Sequence, residues 1–145
     1  MIDRKIAPPF KIPQGFPLQK PELIRLKGGL PLYYLFNETF PTLKIDFVFR
    51  AGKWFEPGPG IAMLCSKMLT EGTPRLSSFE IAAQLDQYGT FTQADSGSDY
   101  LLFSAYVLHK HAEKILPMLH ELIYTSSFPE IETENAKNVQ IQNLK

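Results

Sequence analysis

The chain has 145 residues, 44% of them apolar and 21% charged, with fifteen basic and fifteen acidic side chains that cancel. That suffices for one domain with a real core, and the charge balance offers nothing to nucleic acid or to an anionic membrane surface. The apolar runs fall far short of a membrane span, and the lone Cys65 has no partner for an internal disulfide or a Cys/His zinc cluster.

The start, MIDRKIAPPF, is basic but lacks the apolar stretch of a secretory signal. A cytoplasmic protein is expected, or an exported one if a precursor was trimmed. Residues 1–21 carry Pro8, Pro9, Pro13, Pro17 and Pro21, a density that blocks helix and favours extended chain. This segment is either an arm lying over the domain surface or a leader, and residues 22–145 form the domain.

Residues 22–50 read as a strand meander. One strand covers 23–26, Gly28 and Gly29 supply a turn, and a second strand covers 32–36 with Pro31 confined to its start. Leu43, Ile45, Phe47 and Phe49 then alternate with Lys44, Asp46, Val48 and Arg50, a period of two that marks a strand with one face on a core.

After Gly60 the period changes. Ile61, Leu64, Cys65, Met68 and Leu69 form one helical stripe, with Gly72 placed to end it and Pro74 to prevent resumption. Ser77 and Glu80 make a capping-box pattern at the start of a second helix. Its inner face carries Ile81, Leu85 and Tyr88, and Gly89 closes it. Residues 91–94 and 100–107 read as antiparallel strands. A third helix turns Ala112, Ile115, Leu116, Leu119, Leu122 and Ile123 inward, with Pro117 inside it. A fourth starts near Pro129, a favoured first-turn position. Val139, Ile141 and Leu144 are apolar to the end with no stop residue, which predicts a chain cut inside a longer protein. The grouping of strands and helices predicts an α+β fold, a mainly antiparallel sheet with helices packed on one face.

The stretch FRAGKWFEPGPGIAMLCSKMLTEGT (residues 49–73) resembles the signature region of the insulinase/pitrilysin family of zinc peptidases, which includes the mitochondrial processing peptidases. LDQYGTFTQADSGSDYLLFSAYVL and SSFPEIETENAKNVQIQNLK resemble that family's following segments. The resemblance implies a processing-peptidase-like fold over residues 22–145, incomplete at the C-terminus. In the family, two His and a distal Glu bind zinc, and the Glu of H-x-x-E-H takes a proton from a zinc-bound water whose pKa falls to ~7. Here Met63, Ser66 and Lys67 stand where His, Glu and His would, and Asn143 where the distal Glu would. A thioether suits a hydrolytic zinc poorly. The Ser hydroxyl is no base near neutrality, the Lys repels a dication, and Asn brings no charge. No catalytic residue, metal or cofactor is therefore expected.

No other site assembles from the sequence. His109 and His111 point about 160° apart on a helix, and His109 and His120 lie ~16 Å apart along one. All three read as surface histidines. Cys65 reads as a buried structural thiol. Gly52, Gly58 and Gly60 are turn glycines without a phosphate-loop pattern. Asp95, Asp99, Glu130, Glu132 and Glu134 read as a polar loop and acidic first turns of a helix.

The resemblance implies that a substrate peptide adds as an extra strand to a sheet edge, here Phe91, Thr92, Gln93, Ala94, Asp95 and Ser96, unless this strand is merely part of the sheet. It also implies a non-catalytic subunit that pairs with a zinc-bearing homologous subunit and helps to bind extended peptides. The alternatives are a scaffold like the inactive core subunits of a respiratory complex, and a hydrolase with a different site. Neither nucleic acid nor membrane insertion is expected.

Overall fold

A computed structural model describes residue 10, residue 15 and residues 18–143. Most of the proline-rich segment predicted for residues 1–21 lies outside the described residues, as do Leu144 and Lys145. The chain divides into two compact units, one ending at Glu38 and the other beginning at Thr39.

The first unit holds a hairpin. Strands β1 (Glu22–Arg25) and β2 (Pro31–Tyr34) pair antiparallel, from Glu22 opposite Tyr34 to Arg25 opposite Pro31. The turn between them passes through Gly28 and Gly29 with positive φ at both. Pro31 opens its strand, where its missing N–H costs least. The hairpin is a sheet of its own, so the meander predicted over residues 22–50 is not one continuous sheet. Alternation reveals which face of a strand is buried, not which strand lies beside it.

In the second unit, β3 (Thr42–Phe49), β4 (Phe91–Ser96) and β5 (Leu101–Leu108) form an antiparallel sheet in the order β3-β5-β4. The register runs Thr42 opposite Leu108 to Phe49 opposite Leu101, and Phe91 opposite Tyr106 to Ser96 opposite Leu101. One face of the sheet presents Ile45, Phe47 and Phe49 from β3, Phe103, Ala105 and Val107 from β5, and Ala94 from β4. Against it pack Ile81 and Leu85 of α2 (Ser78–Gln87) and Ile115, Met118, Leu119 and Leu122 of α3 (Ala112–Tyr124). The fold is α+β, with these helices on one face of an antiparallel sheet.

Local chemistry explains the helix ends. Ser77 Oγ accepts from the backbone N–H of Glu80, and the Glu80 carboxylate accepts from the Ser77 N–H at 2.8 Å, a complete capping box. Gly89, at φ +59, closes α2. Pro117 lies inside α3. The last helix, α4, runs Glu130–Asn143 and buries none of its residues.

Two predicted helix faces need correction. On α1 (Ile61–Met68) the buried residues are Ala62, Ser66 and Met68, whereas Ile61 is exposed and Leu64 and Cys65 are half-buried. Helix α1 packs against β4, β5 and α4, and small residues let backbones approach where a long apolar stripe would not. Cys65 is thus not the buried thiol expected. On α3, Met118 is buried and Leu116 exposed. The stripe centred on Ile115, Met118, Leu119 and Leu122 leaves Leu116 about 100° off its line. Helix α1 also stops at Met68, before Gly72.

Candidate functional site

The approach to α1 is built by backbone. After β3, the N–H groups of Gly52, Lys53 and Trp54 donate to the carbonyls of Asp99, Gly97 and Ser98 at 3.0–3.2 Å. This stitches the loop before α1 to the β4–β5 turn. A Cβ on Gly52 would stand 2.4 Å from Ser98 O, so only glycine fits this close approach. Gly60, at φ +86, is the N-cap of α1 and offers no capping side chain. Glu56 supplies it instead: its carboxylate accepts from the N–H of Gly60 at 3.1 Å and of Ala62 at 2.8 Å. Two orphan donors are satisfied, and a negative charge meets the positive end of the helix dipole. Sequence reasoning assigned Glu56 no role. The signal was present in its spacing, four residues before Gly60.

Met63, Ser66 and Lys67 lie on α1 at i, i+3 and i+4. Met63 is half-buried, Ser66 is only 4% exposed, and Lys67 is exposed. The Ser66 hydroxyl donates to the Met63 carbonyl at 2.7 Å. Asn143 is exposed on the last turn of α4. Helix α4 meets α1 near its start, where Thr133 Oγ1 approaches Met68 Sδ at 3.9 Å. Among the described residues, no three His, Cys, Asp or Glu side chains gather closely enough to hold a metal ion.

The remaining candidates scatter. His109 and His111 occupy a single 3-10 turn, and the His111 ring lies 5.3 Å from that of Tyr88. His120 stacks on Tyr124 at 4.4 Å. Asp95 accepts from Gln93 Nε2 at 2.7 Å, and Glu134 pairs with Lys137. Glu130 and Glu132 lie in the first turn of α4. Burial pushes the Glu71 carboxyl above its ordinary value, and the nearby Glu132 charge adds to the shift.

The predicted peptide edge is strand β4. It pairs with β5 on one side and is the terminal strand of its sheet. Phe91, Gln93 and Asp95 are exposed, and Thr92, Ala94 and Ser96 are half-buried. The Phe91 ring lies 5.9 Å from that of Tyr106 across the pair. Helix α1 packs directly against this strand. The fold therefore places α1 and the edge strand side by side.

Residues 36–145 match the pattern of the insulinase family, peptidase family M16. The chain belongs to this family. An uncharacterized zinc protease, YmxG, of Bacillus subtilis is 33% identical over 86 residues, 59% of this chain and 21% of that protein. An uncharacterized zinc protease of Rickettsia bellii is 25% identical over 122 residues, 83% of this chain and 30% of that protein. The M16 chain thus spans less than a third of the length of these relatives. Among solved structures, the peptidase M16 inactive domain from Pseudomonas fluorescens superposes with a TM-score of 0.81 at 20% identity, covering 86% of this chain and 31% of that one. A protease from Helicobacter pylori superposes with a TM-score of 0.72 at 20% identity, covering 83% and 30%. The M16 fold is common to all three.

Proposed function

We propose that this M16 chain is a non-catalytic, zinc-free unit that holds extended peptides along β4 beside a zinc-bearing homologous subunit. The observation that carries this reading is the set of side chains at 63, 66 and 67 on α1 and at 143 at the end of α4. Zinc peptidase chemistry requires imidazole and carboxylate donors with an open position for water. Met63 offers a thioether, Lys67 a repelling ammonium and Asn143 an uncharged amide. The hydroxyl of Ser66 is buried and engaged with the Met63 carbonyl. These residues do not fit a hydrolytic zinc ion.

Two further points support the reading. The similar P. fluorescens structure is described as an inactive M16 domain, although the curated relatives carry the name zinc protease. The β4 edge beside α1 is a surface on which backbone hydrogen bonding could capture peptide without any metal.

The test uses the whole chain, purified alone and together with a zinc-bearing M16 homologue from the same source. Elemental analysis after zinc dialysis should find far less than stoichiometric metal in the chain alone. The pair should co-purify and cleave peptides that the chain alone leaves intact. Stoichiometric zinc in the chain, or chelator-sensitive cleavage by it alone, would overturn the reading.

A further inference from the structure

The link between α3 and α4 runs through Ser126, Ser127, Phe128 and Pro129. Phe128 holds φ at +49, and among the described residues it is the one non-glycine with positive φ. That region is disfavoured for a bulky side chain. It is disfavoured again here, because a following proline pushes a residue toward extended backbone. Burial offers little in return, since Phe128 is exposed. Such a conformation persists only where its surroundings impose it.

The surroundings clamp the link to the end of α1. The Ser127 N–H donates to the Gly72 carbonyl at 3.0 Å, and Ser126 Oγ donates to the Met68 carbonyl at 3.3 Å. Pro129 lies so close to Gly72 that a Cβ there would stand 2.7 Å from its Cγ. Beyond the clamp, α4 is held lightly. It buries none of its residues, and its ion pair among the described residues, Lys137 with Glu134, is internal. Its one hydrogen bond to another helix among the described residues runs from Thr133 Oγ1 to Met68 Sδ at 3.9 Å, and a thioether is a weak acceptor. The docked position also sets Glu132, in the first turn of α4, near the half-buried Glu71, like charge against like charge. Strain and repulsion thus arise independently at the foot of the same helix.

We propose that residues 126–129 are a sprung hinge, and that α4 swings on Phe128 between a docked position against α1 and a released one. Release returns Phe128 to the extended backbone that its proline favours and parts Glu132 from Glu71. It gives up the contact of α4 with α1. No buried side chain of α4 has to be exposed, so the gap between the two positions is narrow. The released helix bares the flank of α1 that it covers, whatever β4 holds.

The test measures the distance between the two helices in the whole chain. Spin labels are placed at Lys67→Cys on α1 and Lys137→Cys on α4, both exposed positions, in a Cys65→Ser background. Pulsed electron resonance should resolve a short and a long distance. Asparagine tolerates the left-handed region, so Phe128→Asn should lower the released-to-docked ratio about fivefold. Glu71→Gln, away from the link, should lower it as well. Phe128→Ile, with a branched side chain that suits positive φ worse, should raise it. A single docked distance in both the wild type and Phe128→Ile overturns the hinge. So does a ratio that neither Phe128→Asn nor Glu71→Gln lowers.

Discussion

Thr73 Oγ1 donates a 2.7 Å hydrogen bond to Oε1 of Glu121, which stands 48 residues later on α3. Arg75 Nη2 donates to the other carboxylate oxygen at 2.5 Å. The Thr73 hydroxyl also accepts from the N–H groups of Arg75 and Leu76, at 3.2 and 3.0 Å. One carboxylate thus clasps the 72–77 turn to α3. The Arg75 hydrogen bond, followed by that of Thr73, holds the Glu121 carboxyl below its ordinary value of 4.5. A carboxylate of lowered pKa stabilises the fold above its unfolded pKa and loses that contribution as pH falls through the folded one. Thermal melts should show wild-type stability falling below about pH 4.5. The Glu121→Gln variant should be less stable at pH 7 by about 1–2 kcal/mol, and the gap should close in acid.

Glu71 has the opposite sign. Its pKa is raised, so folding disfavours its ionised form and stability is lost as pH rises through the folded value. Glu71→Gln should raise the melting temperature at pH 7 and change little below pH 4.5, where the carboxyl is protonated in both states. An unchanged melting temperature at neutral pH would show that Glu71 is solvated.

Two glycines serve close approach. A Cβ on Gly72 would stand 2.7 Å from Pro129 Cγ and 2.9 Å from Ser127 Oγ. Gly72→Ala should cost about 1–3 kcal/mol, the usual range for overpacking. Gly52→Ala should cost more, because its clash is with the backbone of Ser98 and Asp99. Equilibrium unfolding in urea would rank the two.

Met68 is fully buried, and its carbonyl and sulfur both meet the α3–α4 segment through Ser126 and Thr133. Met68→Ala should destabilise by ~2–5 kcal/mol. Leu64→Ala, at a half-buried position of the same helix, should cost clearly less. Equal losses in chemical denaturation would contradict the face assigned to α1.

Local signals were legible in the sequence where one residue type does one job. The alternation from Leu43 to Phe49, the Ser77–Glu80 box and the Gly89 stop all stand in the structure as read. Features that depend on distant partners were not. Nothing in β3 names β5 as its neighbour, and the Ser104–Asp46 bond spans 58 residues. The buried face of α1 was misread because Ala62 and Ser66 are small rather than apolar and large. At the candidate site the motif frame and the edge strand were legible by resemblance. The Glu56 cap was signalled only by its spacing from Gly60, and its bonds to the Gly60 and Ala62 N–H groups depend on a loop and a helix start that folding brings together.

The bonds from residues 52–54 to residues 97–99 join the threshold of α1 to the tip of the β4–β5 hairpin. Those two segments form a single mechanical part. A displacement of the hairpin tip is therefore carried to the threshold of the helix through main-chain bonds, whatever side chains stand at 63, 66 and 67.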